Sequence, residues 1–200
     1  MYTNNNLNSY ISRRYREQLI AGYNSLIQER IELGAEAYFI NFMFNHIPYG
    51  PERRLEVMNS EVARVHSRLM FHIVRKPEKE SWRHLRPVFI GAPDLPVWKN
   101  KKVTSRSQGL NGGLHFNVIA LTPKTAMPDM HVKFRNVLFG KQSRLTVPLQ
   151  LHFQLCSRFY LNNELARIHV TPIIKGTMAD YALKTFKKGL VSPDAVQVWC

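Results

Sequence analysis

Two groups of side chains in this sequence have the types and spacing for chemistry on a phosphate. The first lies in Leu114-His115-Phe116-Asn117-Val118-Ile119-Ala120-Leu121. Side chains alternate along a strand, so Leu114, Phe116, Val118 and Ala120 share one face while His115 and Asn117 point together to the other. An imidazole and an amide oxygen so placed could hold a divalent ion that polarises a scissile phosphate. The same pair suits two hydrogen-bonding residues on the open side of a half-exposed strand. The second group lies in Met178-Ala179-Asp180-Tyr181-Ala182-Leu183-Lys184-Thr185-Phe186-Lys187-Lys188. This segment reads as one helix, so Tyr181, Lys184 and Lys188, three and seven apart, share a face. A tyrosine hydroxyl beside ammonium groups can attack phosphorus, with the lysines favouring phenolate and offsetting charge on the phosphate oxygens. A solvated basic face with one amphipathic tyrosine gives the same pattern.

These residues need elements to position them. Leu19, Tyr23, Leu26 and Ile27 mark one face of a helix from about residue 10 to residue 34, where Gly34 is a stop. Residues 1–9 are expected to be flexible. The aromatic and aliphatic run from Tyr38 to His46 reads as a buried strand, and Pro48, Gly50 and Pro51 as a turn. A second helix follows, with Leu55, Met58, Val62, Val65, Leu69 and Ile73 on its apolar face and Arg54, Glu61, Arg64 and Arg68 outside, ending before Pro77. Val88 to Ile90 reads as a short strand closed by Gly91, Pro93 and Pro96, and Ala166 to Ile174 as another strand. The stretch from Thr125 to Asn163 is the least legible, with elements near Val132 to Phe139 and Leu149 to Tyr160. Helices and strands mix without a βαβ rhythm, which predicts a single α+β domain with a central antiparallel sheet and flanking helices, its core over 37–190.

Charge narrows the function. Lys and Arg number 28 against 14 Asp and Glu, a net +14 that calls for a polyanionic partner. Lys99, Lys101, Lys102 and Arg106 form a basic loop without an acid, and Lys187 and Lys188 add to the basic helix; all six are candidate nucleic-acid contacts. No run of roughly 18 apolar residues spans a membrane and no apolar leader opens the chain, so a cytoplasmic protein without membrane partner is expected. Cys156 and Cys200 are too few for a disulfide framework or a thiolate zinc site, in keeping with a reducing compartment. The chain carries no Walker loop, G-x-S-x-G, H-E-x-x-H or dinucleotide fingerprint.

The order of the segments adds to their content. Tyr38-Phe39-Ile40-Asn41-Phe42-Met43-Phe44-Asn45 comes first and Leu114-His115-Phe116-Asn117-Val118 second. Arg167-Ile168-His169-Val170-Thr171-Pro172 then leads into Tyr181-Ala182-Leu183-Lys184. This resembles the three ordered motifs of rolling-circle replication initiators, endonucleases of the HUH class: an apolar strand, a histidine-hydrophobic-histidine strand, and a helix with tyrosine then lysine. The resemblance runs from about Tyr38 to Lys188 and implies a sheet of ferredoxin-like or RRM-like type. It implies that Tyr181 attacks a DNA phosphate to form a 5′-phosphotyrosyl link, that Lys184 offsets phosphate charge, and that His115 ligates Mg²⁺ or Mn²⁺. The partner would be single-stranded or hairpin DNA of a plasmid, phage or mobile element, with a separate host helicase opening the duplex. Asn117 stands where the family has its second histidine, and Asn binds such ions through oxygen. A third ligand would come from Asp94, at the end of the preceding strand, or from His46 or His169. A binder of single-stranded DNA or RNA that does not cut is the alternative, and a basic structural protein of a nucleoprotein assembly a third reading.

Overall fold

A computed structural model describes residues 4–94, 114–126 and 143–200, with side chains described from residue 13 onward. The chain is an α+β protein built on a five-stranded antiparallel sheet. In chain order it forms α1 (Asn4–Glu32), β1 (Glu36–Phe44), α2 (Pro51–Ile73), a 3-10 helix (Glu80–Leu85), β2 (Val88–Asp94) and β3 (His115–Thr122). There follow α3 (Leu149–Leu155), α4 (Ser157–Tyr160), β4 (Leu165–Pro172), α5 (Ala179–Ala182), α6 (Lys184–Lys187) and β5 (Gln197–Trp199). The strands lie in the order β4-β1-β3-β2-β5. None of the described helices is long and apolar enough to cross a membrane.

Alternation along the strands builds two cores. Tyr38, Ile40, Phe42 and Phe44 of β1 join Phe116, Val118 and Ala120 of β3 on one side, where Met58, Val62, Val65, Leu69 and Ile73 of α2 pack against them. These are the α2 positions expected from the sequence. The buried His66 adds to them, its Nε2 3.0 Å from the Pro87 carbonyl oxygen. Arg64, expected outside, is half-buried, because its guanidinium holds Glu61 at 2.6 Å and donates to the Tyr160 carbonyl. On the other side Ala37, Phe39, Ile90, Ile119 and Leu121 meet Ile27 of α1 and Ala179 and Ala182 of α5. Ile20 of α1 closes over Ala92, Leu183 and Phe186 in the same layer.

β3 therefore has no open side. The reading that placed His115 and Asn117 on an uncovered face is corrected: Ile119 and Leu121 extend that face as a second apolar stripe, and α1, α5 and α6 cover it. A strand apolar on both faces is buried on both.

Other elements differ from expectation for local reasons. α1 begins at Asn4, inside the stretch read as flexible. β2 does not close at Gly91 but runs on to Asp94, paired residue by residue with β3. A Cβ on Gly91 would lie 2.5 Å from the Asn117 carbonyl oxygen and 2.6 Å from Val118 Cγ2, so glycine here permits close strand approach instead of ending the strand. Pro93 is tolerated because the pairing of β2 with β5 stops at Gly91. Gly91→Ala is expected to destabilise the fold by about 1–3 kcal/mol; a urea midpoint equal to that of the parent chain would contradict this packing. Leu149 to Tyr160 is helical, whereas Val132 to Phe139 lies outside the described residues. The short strand β5, only Gln197–Trp199, carries no period-2 signal long enough to mark it in the sequence.

The tail of the chain is the largest departure. The expected helix from Met178 to Lys188 is two single turns, α5 and α6, divided at Leu183 (φ −101°, ψ 21°). Helices this short hold through packing and not through propensity. The packing here seats Ala179, Ala182, Leu183 and Phe186 without requiring an unbroken hydrogen-bond ladder.

Candidate functional site

The second layer becomes polar toward one end of the sheet. Phe39 stands opposite Ile119, Asn41 opposite Asn117, and Asp94 opposite His115. Moving along β1 and β3, the apolar row thus gives way to an amide row and then to an imidazole and a carboxylate. α6 delivers Lys184 and Thr185 to this end.

Asp94 is the hub. Its side chain is 1% exposed, and four groups donate to it. Oδ2 receives Lys184 Nζ at 2.6 Å, Asn117 Nδ2 at 2.8 Å and His115 Nε2 at 2.9 Å. Oδ1 receives the Thr185 hydroxyl at 2.8 Å. Burial by itself would push the carboxyl up. The bonds from His115, Lys184 and Thr185, with the charge of His115, outweigh it and hold Asp94 at about 2, against 3.8 for a free carboxyl. A carboxyl depressed in the fold stabilises it above the unfolded value and loses that contribution as pH falls through the folded value. The fold is therefore expected to lose about 2 kcal/mol between about pH 4 and about pH 2, at 1.36 kcal/mol per unit. Urea unfolding across that range checks it. Asp94→Asn should lack this part of the decline, and a variant that declines as steeply as the parent chain would contradict the assignment.

Asn117 is 1% exposed, and both ends of its amide are engaged: Nδ2 donates to Asp94 and Oδ1 accepts from Asn41 Nδ2 at 2.8 Å. The reverse orientation would set an amide oxygen against the ionised Asp94, so the bonding fixes the rotamer. The oxygen expected to ligate an ion is thus turned to Asn41. Asn117 positions Asp94 instead.

Tyr181 is 51% exposed at the edge of this cluster. Its ring meets Phe39 edge-on with centroids 5.3 Å apart, and Lys184 Nζ lies 5.1 Å from the ring centroid. The break at Leu183 leaves this pair in contact. Lys184 consequently links the phenol to the buried carboxylate, and the carboxylate links to His115.

Four of the expected residues, Asp94, His115, Asn117 and Lys184, converge directly, and Tyr181 joins through Lys184. His169 faces Asn41 across the β1–β4 pairing and is exposed, so it stands one strand beyond the cluster. His46 is exposed past the end of β1. Lys187 pairs with Asp180 at 2.5 Å, and Lys188 is an exposed residue closing α6. Lys99, Lys101, Lys102 and Arg106 lie outside the described residues. Asn41 and Thr185 were not read as site residues. Asn41 had a signal, since an amide inside an apolar strand needs a buried partner; Thr185 had none.

The donor set can be tested against the divalent ion that the motif resemblance implies. Cis ligands of an octahedral ion at about 2.1 Å stand about 3 Å apart, which matches the 2.9 Å between Asp94 Oδ2 and His115 Nε2. A hard ion of this kind completes its shell with water and substrate phosphate, so a carboxylate and an imidazole are an adequate protein contribution. In the free protein the Lys184 ammonium supplies the positive charge at Oδ2.

No family model matches the chain, and no curated protein or solved structure matches it.

Proposed function

We propose that the chain is a metal-assisted, tyrosine-dependent protein that nicks and rejoins single-stranded DNA, of the kind that initiates replication of a plasmid, phage or related mobile element. The observation that carries the reading is one chain of contacts at one end of the sheet: Tyr181 to Lys184, Lys184 to Asp94, Asp94 to His115. A tyrosine, a lysine ammonium and a carboxylate–imidazole pair are joined there from four elements, α5, α6, β2 and β3.

The residues divide the work. The half-exposed Tyr181 hydroxyl gives up its proton to solvent as its oxygen attacks phosphorus, the phosphorus–3′-oxygen bond breaks, and the 3′-oxygen takes up a proton from solvent. The product is a 5′-phosphotyrosyl link and a free 3′-hydroxyl, which primes synthesis or attacks back to reseal the strand. Phe39 holds the ring of Tyr181 from one side, which limits its rotation before attack. Lys184 Nζ, now 2.6 Å from Asp94 Oδ2, would move to a non-bridging phosphate oxygen and offset developing charge there. Asp94 and His115 would hold Mg²⁺ or Mn²⁺, which would polarise the phosphate when bound. Asn117, fixed by Asn41, and Thr185 keep the Asp94 carboxylate in one orientation. Single-stranded or hairpin DNA would be held by the basic residues, with Lys99, Lys101, Lys102 and Arg106 of the sequence between Asp94 and Leu114 as candidates. Strand opening would come from a separate host helicase, and a cytoplasmic setting fits this chemistry.

The test is incubation with labelled single-stranded and hairpin DNA pools, with Mg²⁺ or Mn²⁺ and without either, read by denaturing gels and protein mass spectrometry. Cleavage with a DNA adduct on Tyr181 is expected only with the ion. One observation favours a second reading, a binder of single-stranded nucleic acid that does not cut: the hydrogen bonds around Asp94 are complete without an ion. Salt-sensitive, ion-independent binding with no cut strand would establish that reading instead.

A further inference from the structure

A second cluster of ligating groups lies on the opposite face of the sheet from Tyr181. His72 sits in the last turn of α2, and His152 and Cys156 lie four residues apart on and just after α3. His72 Nδ1 and His152 Nε2 are 3.5 Å apart. One ligand atom from each of His72, His152 and Cys156 falls within 4.8 Å of the others. The hydroxyl of the fully buried Tyr160 stands 3.0 Å from His72 Nδ1 and 2.9 Å from His152 Nε2. All three candidate ligands are partly exposed, so an ion can enter from solvent.

We infer that His72, His152 and Cys156 form a three-ligand site for a borderline-soft transition metal ion, Zn²⁺ by its chemistry, with the fourth position left to solvent. Ligand atoms of a tetrahedral zinc site, at about 2.0–2.1 Å for nitrogen and 2.3 Å for sulfur, lie roughly 3.3–3.7 Å apart. The two nitrogens already have that spacing, and the three residues' ligand atoms lie within 4.8 Å of one another, so a small closing shift completes the set. Two imidazoles and a thiolate select zinc over Mg²⁺ or Mn²⁺, which prefer oxygen. The site therefore does not duplicate the one at Asp94 and His115.

Entry of the ion forms bonds to His72 Nδ1, His152 Nε2 and Cys156 Sγ. The thiol proton leaves to solvent, and a proton held on either ligating nitrogen moves to the other nitrogen of its ring. The consequence is structural: the end of α2 is pinned to α3 over the core in which Leu149, Phe153 and Tyr160 are buried. Both helices lie on the side of the sheet away from the proposed DNA site, so this inference stands whether or not the chain cuts DNA.

The experiment is titration of the chelator-treated protein with Co²⁺ alone and then Zn²⁺, following the visible spectrum, with thermal unfolding in parallel. Expected are one tetrahedral Co²⁺ per chain by its spectrum, intense d–d absorption with a thiolate-to-cobalt charge-transfer band, displacement by Zn²⁺, and a raised Tm with Zn²⁺. Cys156→Ser, nearly isosteric, should lose the charge-transfer band, and His152→Ala should weaken Co²⁺ binding at least about 10-fold. Cys200→Ser should leave spectrum and affinity unchanged. The inference is overturned if no charge-transfer band forms, if the band survives in Cys156→Ser, or if it disappears in Cys200→Ser.

Discussion

Tyr181→Phe is expected to abolish strand cleavage and the covalent DNA adduct while leaving DNA binding and folding near those of the parent chain. The phenol oxygen is the proposed attacking atom, and Phe offers no replacement, so the cleavage rate should fall at least about 10³-fold. The rest of the side chain is preserved. The Phe ring can keep its edge-on contact with Phe39 and its place under Lys184 Nζ. Because the residue is half-exposed and its hydroxyl makes no hydrogen bond within the described residues, stability should shift by less than about 0.5 kcal/mol. Binding to uncleavable DNA should then change by about 2-fold at most. Single-turnover cleavage, adduct mass and a binding isotherm together decide the matter. A Tyr181→Phe protein that cuts at the parent rate would eliminate the phosphotyrosyl mechanism.

Asp94→Asn carries the second large effect, and it acts on fold and chemistry together. Asn keeps the shape, and its oxygen can still accept from some of the three donors at Oδ2 while its amino group faces the Thr185 hydroxyl. What disappears is the negative charge that balances Lys184 and His115. A buried carboxylate with four donors, neutralised in place, should cost about 2–4 kcal/mol in urea unfolding. Cleavage should fall at least about 100-fold at saturating Mg²⁺, because the proposed ion loses its carboxylate ligand and Lys184 its anchor. Parent-like stability would remove Asp94 as the hub of the cluster. Loss of stability with full cleavage would confine it to a structural role and leave Tyr181 to be tested without it.

What could be read from sequence followed from short-range rules. Period-3.6 spacing placed the apolar face of α2 and of α1, and period-2 alternation placed β3 and paired His115 with Asn117. The excess of lysine and arginine pointed to a polyanion before any fold was known. Even Asp94 could be picked out, because it closes the strand preceding β3. The readings of α1, α2 and β3 succeeded because each depends on residues within one or two turns or one strand of each other.

Only the tertiary structure decided what those residues face. Sequence spacing could not show that α1, α5 and α6 roof the side of the sheet carrying Asn117, since that cover is supplied by Ile20, Ile27, Ala179 and Phe186 from the two ends of the chain. Under that roof an amide that looked free to bind an ion spends both its ends on Asn41 and Asp94, because a buried polar group must find partners. The same distance in sequence hid the meeting of His72 with His152, Cys156 and Tyr160, residues on separate helices joined by no local pattern. Residue types and local periods determined which groups could do chemistry; burial and long-range pairing determined which of them meet, and what each has left to offer.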